Sequence, residues 1–312
     1  MPATQAPHGR IDGLVGFLAG PTASGKSALA VAIAQRHNLA IISADSMQVY
    51  RGMEIGTGAM PESERGEVPH RLLSVADPRE AFNASRFAEE ARTAIAEELT
   101  QGRRSLVVGG TGMWIQALRE GLFGGPGRDE GVRARLRDER VASGAEALHA
   151  KLAAVDPPMA AKLPVADHVR IIRALEVFEL SGRPLTEWYA EDQLRRAALE
   201  PLAPLVVIHR EREELRARIN ARTDQMLRDG WLEESRRLRE LDLPPHSPAA
   251  KALGYPILWS VLDGALSIQD AAAKIKIGTL QYAKAQVTWF KVQRGVVFVE
   301  ATEAIVTAAL QL

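Results

Sequence analysis

Five short apolar runs along the chain predict the buried strands of one parallel sheet. Each run is rich in β-branched residues and bounded by turn or polar residues, and stretches of helical periodicity lie between them. The runs are LVGFLA (14–19), AIISA (40–44), SLVVGG (105–110), PLVVIH (204–209) and VVFVE (296–300). Strands of this type alternating with helices indicate an α/β fold, in which helices cover both faces of a parallel sheet.

The distance between the third and fourth runs predicts a helical insertion. Roughly 90 residues of helical periodicity separate these runs, which is too long for one crossover helix. Segments with linker composition, GLFGGPG (121–127) and LEPLAP (199–204), flank the stretch. We therefore predict an α/β core in two parts, residues 1–122 and 205–312, with a helical insertion domain over residues 123–204.

Composition narrows the functional classes. The 312 residues are 46% apolar, and 39 basic residues balance 39 acidic ones, so any contact with a nucleic acid must be local. The absence of cysteine excludes disulfides, thiolate metal sites and a cysteine nucleophile. The first dozen residues lack the apolar segment of a signal peptide, and no run approaches the roughly 20 apolar residues of a membrane span. We expect a cytoplasmic, monomeric protein with no membrane contact and a loose N-terminal tail.

The segment GPTASGKS, directly after the first run, carries the clearest chemistry. It fits the pattern G-x-x-x-x-G-K-[ST], a loop whose backbone N–H groups and lysine hold a phosphate chain while the final hydroxyl binds Mg²⁺. The strand, loop and helix occur in the order that this motif requires. The predicted phosphate-binding residues are Gly20, Pro21, Thr22, Ala23, Ser24, Gly25, Lys26 and Ser27, with Ser27 as the magnesium ligand.

A second magnesium carboxylate, which NTP-hydrolysing proteins of this class carry at another strand end, is missing here. The run SLVVGGTG ends in glycines and a threonine, and Asp45 is the one carboxylate at a strand end near the loop. Asp45 has three interpretations of comparable weight: a magnesium-ordering group, a general base, or a helix N-cap. The pattern disfavours an NTP-hydrolysing enzyme, and a small kinase remains an alternative.

Seven stretches together resemble the tRNA dimethylallyltransferases. They occur in the family's order, from about residue 14 to about residue 293: GPTASGKS, ISADSMQVYRGMEIGT, VGGTGMWIQAL, DHVRIIRALEVFELSGRPLTE, RINARTDQML, KALGY and QYAKAQVTWFK. The resemblance implies a P-loop NTPase-like core whose loop binds dimethylallyl diphosphate. It also implies transfer of the dimethylallyl group to N6 of the adenosine next to the anticodon of tRNA, on its 3′ side, with release of diphosphate.

Three alternatives remain open beside this interpretation. An adenylate isopentenyltransferase would share the catalytic core and modify a free nucleotide, although such a small acceptor does not need a helical insertion. A small-molecule or nucleotide kinase would bind ATP in the loop. A non-catalytic RNA-binding module would not depend on Asp45 at all.

The resemblance also implies roles for residues outside the loop. Asp45 acts as the base that takes the N6 proton, and Thr111 helps to hold the reacting groups; Thr111 is otherwise an ordinary turn residue. Arg218 and Arg222 are spaced i, i+4, so both can reach the diphosphate from one helix face. The alternative for Arg218 and Arg222 is that they lie on an ordinary solvated helix face.

The same resemblance assigns residues to tRNA binding. The adenosine must leave its stack to expose N6, and Ser46, Met47 and Gln48 follow Asp45 directly; Gln48 has the donor and acceptor that suit an adenine edge. With Asp45 and Thr111, these form the predicted base pocket. The predicted contacts of the helical insertion are Arg133, Val169, Arg170, Ile171, Ile172 and Arg173. Acidic residues interleave with the arginines around Arg133, which is also typical of a solvated helix face.

Overall fold

The computed structural model describes residues 15–199, 203–244 and 247–312. The chain divides into two compact units, one formed by Met1–Gly121 with Pro201–Leu312 and the other by Leu122–Glu200. The N-terminal tail expected from the sequence lies outside the described residues, as do residues 200–202 of the expected closing linker.

A parallel sheet of six strands forms the centre of the first unit, in the order β3-β2-β4-β1-β5-β6. Its strands are β1 (Val15–Ala19), β2 (Leu39–Ser43), β3 (His70–Arg71), β4 (Arg104–Gly109), β5 (Leu205–His209) and β6 (Val296–Glu300). Five of them fall on the five predicted runs. Strand β3 was not predicted, because a two-residue strand with polar side chains has no apolar run.

Fifteen α-helices lie in the described part of the chain, and α6 to α10 belong to the second unit. In chain order they are α1 (Lys26–His37), α2 (Glu54–Thr57), α3 (Glu62–Arg65), α4 (Ala84–Thr100), α5 (Gly112–Glu120), α6 (Glu130–Ser143), α7 (Ala145–Val155), α8 (Pro157–Lys162), α9 (His168–Ser181), α10 (Leu185–Ala197), α11 (Arg212–Arg228), α12 (Trp231–Arg239), α13 (Tyr255–Leu262), α14 (Ile268–Phe290) and α15 (Glu303–Leu310).

Neighbouring residues of each central strand face opposite sides of the sheet, so the first unit has two cores. Phe17 belongs to the larger core, with the aromatic side chains Phe87, Trp114 and Phe290. Leu18, the next residue of β1, belongs to the core formed with α1 and α15. Helices on both faces therefore bury the sheet, as the continuous apolar runs predict.

The glycines at the end of β4 and in the turn after it bring the ends of β4 and β2 together. A Cβ on Gly109 would overlap the Ala44 backbone, and one on Gly112 would overlap the Trp289 ring. The Thr111 N–H donates to the Ala44 carbonyl at 3.2 Å. This close approach places Thr111 beside the residues that follow β2, at the carboxyl edge of the sheet where ligands of α/β folds bind.

The second unit packs α6 to α10 around its own apolar core, which includes Leu136, Leu152 and Leu175. The predicted tRNA-contacting residues Ile171 and Ile172 lie in this core, 1% and 5% exposed. The two side chains are therefore buried, and at most their backbone could contact tRNA in this conformation. None of the helices in the described ranges combines the length and hydropathy needed to cross a membrane.

Candidate active site

The phosphate loop turns tightly between β1 and α1. Gly25 and Ala23 both have left-handed backbones, with φ values of 90° and 62°, and the Ser24 N–H donates to the Pro21 carbonyl at 3.2 Å. Lys26 is buried, and its Nζ lies 3.4 Å from the same carbonyl oxygen. The loop thus directs Lys26 back across its own turn, as the motif predicts.

A cavity of about 340 Å³ lies over this loop. Its polar lining includes residues of the loop, of the segment after β2, of α11 and of α14, together with Lys251, whereas most of its apolar and aromatic lining comes from residues 219–282. The polar residues include Thr22, Lys26, Ser27, Asp45, Ser46, Gln48 and Arg222, and the apolar and aromatic residues include Ile219, Met226, Trp231, Leu253, Tyr255 and Tyr282. One cavity therefore offers cations for a phosphate chain beside an apolar wall.

The two carboxylate oxygens of Asp45 lie in different environments. Oδ1 accepts the N–H groups of Met47 and Gln48 at 3.0 and 3.3 Å, which is the geometry of a turn cap. Oδ2 accepts no hydrogen bond from residues in the described part of the chain, and Asp45 lines the cavity. The capping and general-base interpretations are therefore compatible, because each uses a different oxygen.

Thr111 joins the turn after β4 to the turn after β2. Its Oγ1 accepts the Ser46 N–H at 2.9 Å and lies 3.2 Å from the Ser46 hydroxyl. Tyr282 of α14, which was not predicted, lies close to Thr111, and burial together with the nearby Asp45 carboxylate raises the pKa of the Tyr282 hydroxyl. Thr111, Ser46 and Tyr282 thus form a hydroxyl cluster beside Asp45.

Burial of the charged side chains of Lys26 and Arg222 at the cavity costs free energy. The pKa of Lys26 is lowered to about 8, chiefly by burial and to a smaller extent by Arg222, while the Asp45 carboxylate opposes the change. Burial also lowers the pKa of the Arg222 guanidinium, again with Asp45 opposing. A bound anion would relieve this burial of positive charge, so the electrostatics of the cavity favour a ligand such as a diphosphate.

The two predicted clamp arginines occupy different places. Arg222 lines the cavity, and its Nη1 donates to Thr22 Oγ1 at 3.3 Å. Arg218 is exposed, and its Nε donates to the Ala23 carbonyl at 2.7 Å. Arg210, which was not predicted, donates in the same way to the Ser24 carbonyl at 2.7 Å. Arg210 and Arg218 thus support the loop backbone, whereas Arg222 lines the cavity.

Gln286 of α14 connects the phosphate loop to the turn after β4. Its Oε1 accepts the Thr22 N–H at 2.9 Å, and its Nε2 donates to the Gly110 carbonyl at 3.0 Å. Sequence reasoning missed this residue because 264 positions separate it from Thr22. Its segment, QYAKAQVTWFK, carried part of the family resemblance, but nothing in that pattern indicated this contact.

The remaining predicted tRNA-binding residues divide by environment. Gln48 and Met47 line the cavity, and Gln48 Nε2 donates to the Thr57 and Gly58 carbonyls, 3.2 Å from each. In the second unit, Arg133 and Arg173 both bind the buried Glu176 carboxylate: Arg133 through two bonds of 2.8 and 2.9 Å, Arg173 through one of 2.6 Å.

Arg170 and Val169 are the exposed members of the predicted set in the second unit. The Arg170 side chain is 70% exposed and pairs with Asp167, and Val169 is 67% exposed. Of the predicted residues in this unit, these two present the most surface to a partner.

Comparison with known proteins supplies the deciding observation. The family model for IPP transferase matches residues 48–293, and that for isopentenyl transferase matches residues 14–76. A tRNA dimethylallyltransferase of Geobacter metallireducens is 46% identical over 282 residues, which cover 90% of each protein. One of Thioalkalivibrio sulfidiphilus is 45% identical over 285 residues, 91% of this chain and 89% of its own length. The chain belongs to the tRNA dimethylallyltransferase family.

Solved structures of this family share the fold. A full-length tRNA isopentenylpyrophosphate transferase from Bacillus halodurans superposes with a TM-score of 0.67 at 33% identity, over 95% of this chain and 96% of that one. A eukaryotic dimethylallyltransferase, solved while acting on tRNA, gives a TM-score of 0.74 at 26% identity, over 93% of this chain and 74% of that one. Together the two family models span all the cavity residues named above.

Proposed function

We propose that this protein transfers the dimethylallyl group of dimethylallyl diphosphate to N6 of the adenosine on the 3′ side of the anticodon in tRNA, and releases diphosphate. One observation carries the proposal: a single cavity joins a phosphate loop and the cationic side chains of Lys26, Arg222 and Lys251 to the Asp45 carboxylate and to an apolar wall. The names of the relatives supply the prenyl donor and the tRNA acceptor.

The cations are placed to stabilise the leaving group. As the allylic C–O bond breaks, negative charge grows on the diphosphate oxygens, and groups directed at those oxygens bind the transition state more tightly than the ground state. Lys26, Arg222 and the loop N–H groups supply this stabilisation. The electron pair of the broken bond leaves with the diphosphate, while the adenine N6 forms the new bond to carbon.

Asp45 is the proposed general base. The N6 amine must lose a proton as its bond to carbon forms, and the Oδ2 atom of Asp45 is available to accept it. The cap formed by Oδ1 orients the carboxylate, which keeps Oδ2 facing the cavity. Thr111, Ser46 and Tyr282 supply hydroxyl groups next to this position and would help to hold the acceptor base.

The residues of the loop fit a magnesium ion. Ser27 offers one hydroxyl ligand at the cavity, and the described residues contain no cluster of three His, Asp, Glu or Cys side chains that could hold a metal. Mg²⁺ commonly takes few protein ligands and completes its shell with phosphate oxygens and water. We therefore propose that Ser27 holds Mg²⁺ on the diphosphate, where the ion would neutralise charge on the departing group.

The acceptor is a macromolecule in this proposal. A base in an unpaired loop is the least costly to extrude, and Ser46, Met47 and Gln48 line the cavity where it would enter. We propose the second unit as an insertion domain that contacts tRNA, with Arg170 and Val169 at its surface.

A comparison of two acceptors tests the proposal. The protein is incubated with dimethylallyl diphosphate, Mg²⁺ and either an anticodon stem-loop or AMP, and diphosphate release is measured. We expect release with the stem-loop and not with AMP. Release with AMP alone would instead support a free-nucleotide isopentenyltransferase, and transfer of phosphate from ATP to an acceptor would support a kinase.

A further inference from the structure

A buried carboxylate beside the cavity has no role in the chemistry proposed above. Glu234 of α12 is 2% exposed. Its Oε2 accepts the Ile55 N–H at 2.8 Å, and its Oε1 accepts the Gly56 N–H and the Tyr255 hydroxyl, each at 2.8 Å. Three donors thus compensate the carboxylate, and two of them are backbone N–H groups of α2.

The opposite end of α2 holds two residues of the candidate site. Its Thr57 carbonyl accepts from Arg222 Nη2 at 3.1 Å and from Gln48 Nε2 at 3.2 Å. The next carbonyl, that of Gly58, accepts from the same two atoms at 3.4 and 3.2 Å. Gly58 has a φ of 62°, and a Cβ at this position would overlap the Arg222 guanidinium, so this turn closes directly around the arginine.

Helix α2 depends on its surroundings for its position. It has four residues, none of them buried, and no side-chain cap at its N-terminus. A helix of this length is not stable alone. Ile55 packs against the larger core, but the N–H groups of the first turn are fixed by Glu234. The carboxylate is therefore the polar anchor of an element that binds Arg222 and Gln48 at its other end.

We propose that Glu234 is a positioning residue: it fixes α2 so that the carbonyls of Thr57 and Gly58 hold Arg222 at the phosphate loop and Gln48 at the acceptor pocket. The inference rests on the proposed function of the cavity. The Tyr255 hydroxyl completes the anchor from α13.

The substitution Glu234→Gln tests this directly. A glutamine keeps the shape of the side chain, but in either orientation its NH₂ group faces a backbone N–H of α2, that of Ile55 or of Gly56, which then loses its acceptor. We expect the KM for dimethylallyl diphosphate to rise about tenfold, with kcat less affected, because supporting contacts usually change the affinity of a site by this order. The Kd for inorganic diphosphate with Mg²⁺, measured by calorimetry, should rise in parallel.

Glu98→Gln is the matched control. Glu98 is also a buried carboxylate of the first unit, 1% exposed, and it binds Arg71 and Arg103 at 2.7 Å each. None of these three residues lines the cavity. We expect both variants to lower Tm, and Glu234→Gln alone to weaken binding of inorganic diphosphate.

Two outcomes would overturn the inference. The first is a folded Glu234→Gln protein with a lowered Tm and a wild-type Kd for inorganic diphosphate. The second, if that variant does not fold, is an unchanged Kd in Tyr255→Phe, which removes one donor and keeps the carboxylate; we expect about a twofold rise there. Because inorganic diphosphate binding is measured without prenyl transfer, failure of the proposed function would appear separately, as a wild-type protein that does not modify tRNA.

Discussion

At the residue scale, the two oxygens of Asp45 have different roles: Oδ1 caps a turn, and Oδ2 is the proposed base. Asp45→Asn keeps an oxygen that can accept the Met47 and Gln48 N–H groups and removes the basic carboxylate. We expect a loss of about 10²- to 10⁴-fold in kcat, the usual effect of losing a general base, with tRNA affinity nearly unchanged. Asp45→Ala should lose the cap as well and be less stable by about 1 kcal/mol. Single-turnover transfer rates, tRNA binding and urea denaturation provide the three measurements. An Asp45→Asn enzyme with near wild-type turnover would remove the base assignment.

The depressed pKa of Lys26 predicts an alkaline limit on substrate binding. Burial lowers this pKa to about 8, and the ammonium is the form that attracts a diphosphate. Above the pKa, the free enzyme must take up a proton to bind, so kcat/KM for dimethylallyl diphosphate should fall as pH rises through about 8. Below it, Lys26 is already charged and contributes no pH dependence. Calorimetry in buffers of different ionisation enthalpy should show proton uptake on binding near that pH. A profile that stays flat well above the pKa would contradict the prediction.

At the element scale, the turn after β4 depends on close approach. Gly109→Ala would push a Cβ into the Ala44 backbone, where neither strand can yield, and we expect it to lower the free energy of unfolding by about 3 kcal/mol. Gly278→Ala is the control, because Gly278 lies within α14 and its Cβ would meet Leu253 at an ordinary 3.5 Å. That change should stabilise the protein by up to about 1 kcal/mol. Urea denaturation measures both, and equal effects would show that the close approach does not matter.

The elements could be predicted where their pattern is local. Five strands follow from apolar runs, and the phosphate loop follows from eight consecutive residues between a strand and a helix. The two-residue β3 could not be predicted, because its pairing with β2 depends on the position of β2 and not on its own side chains. Sequence reasoning also placed Arg218 and Arg222 on one helix face, but only the packing of α11 decides that Arg222 lines the cavity, partly buried, while Arg218 is exposed.

The contacts that complete the site are non-local. Gln286 meets Thr22 across 264 positions, and Glu234 meets Ile55 across 179. Both residues lie in amphipathic helices, where a buried polar side chain has no signature distinct from a surface one. Ile171 shows a different limit of sequence reasoning. The resemblance over the stretch DHVRIIRALEVFELSGRPLTE assigned a continuous run of residues to tRNA binding, whereas helical periodicity buries part of any such run, here the Ile171 side chain.

At the scale of the whole molecule, zero net charge makes tRNA binding depend on particular arginines. Arg133→Ala should lower the free energy of unfolding by about 3 kcal/mol, because it leaves the buried Glu176 carboxylate with fewer partners. Arg170→Ala removes an exposed side chain whose pair with Asp167 adds little stability. We expect it to weaken tRNA binding and to reduce the slope of log K against log[salt] by about one.

Equilibrium binding at several salt concentrations, together with urea denaturation, separates these two arginines. An Arg170→Ala protein with unchanged affinity and salt slope would show that this part of the second unit does not contact tRNA. A fully stable Arg133→Ala protein with weakened tRNA binding would show that Arg133 contacts tRNA and that its pairing with Glu176 does not stabilise the fold.

In the proposed reaction, the phosphate loop holds an allylic diphosphate as a leaving group beside the base Asp45. The most direct measurement combines the protein, dimethylallyl diphosphate, Mg²⁺ and an anticodon stem-loop, followed by nucleoside mass spectrometry and quantification of released diphosphate. We predict one C5 unit on N6 of the adenosine next to the anticodon, with one diphosphate released for each unit transferred. An unmodified stem-loop, with an active family member as the positive control, would contradict the account.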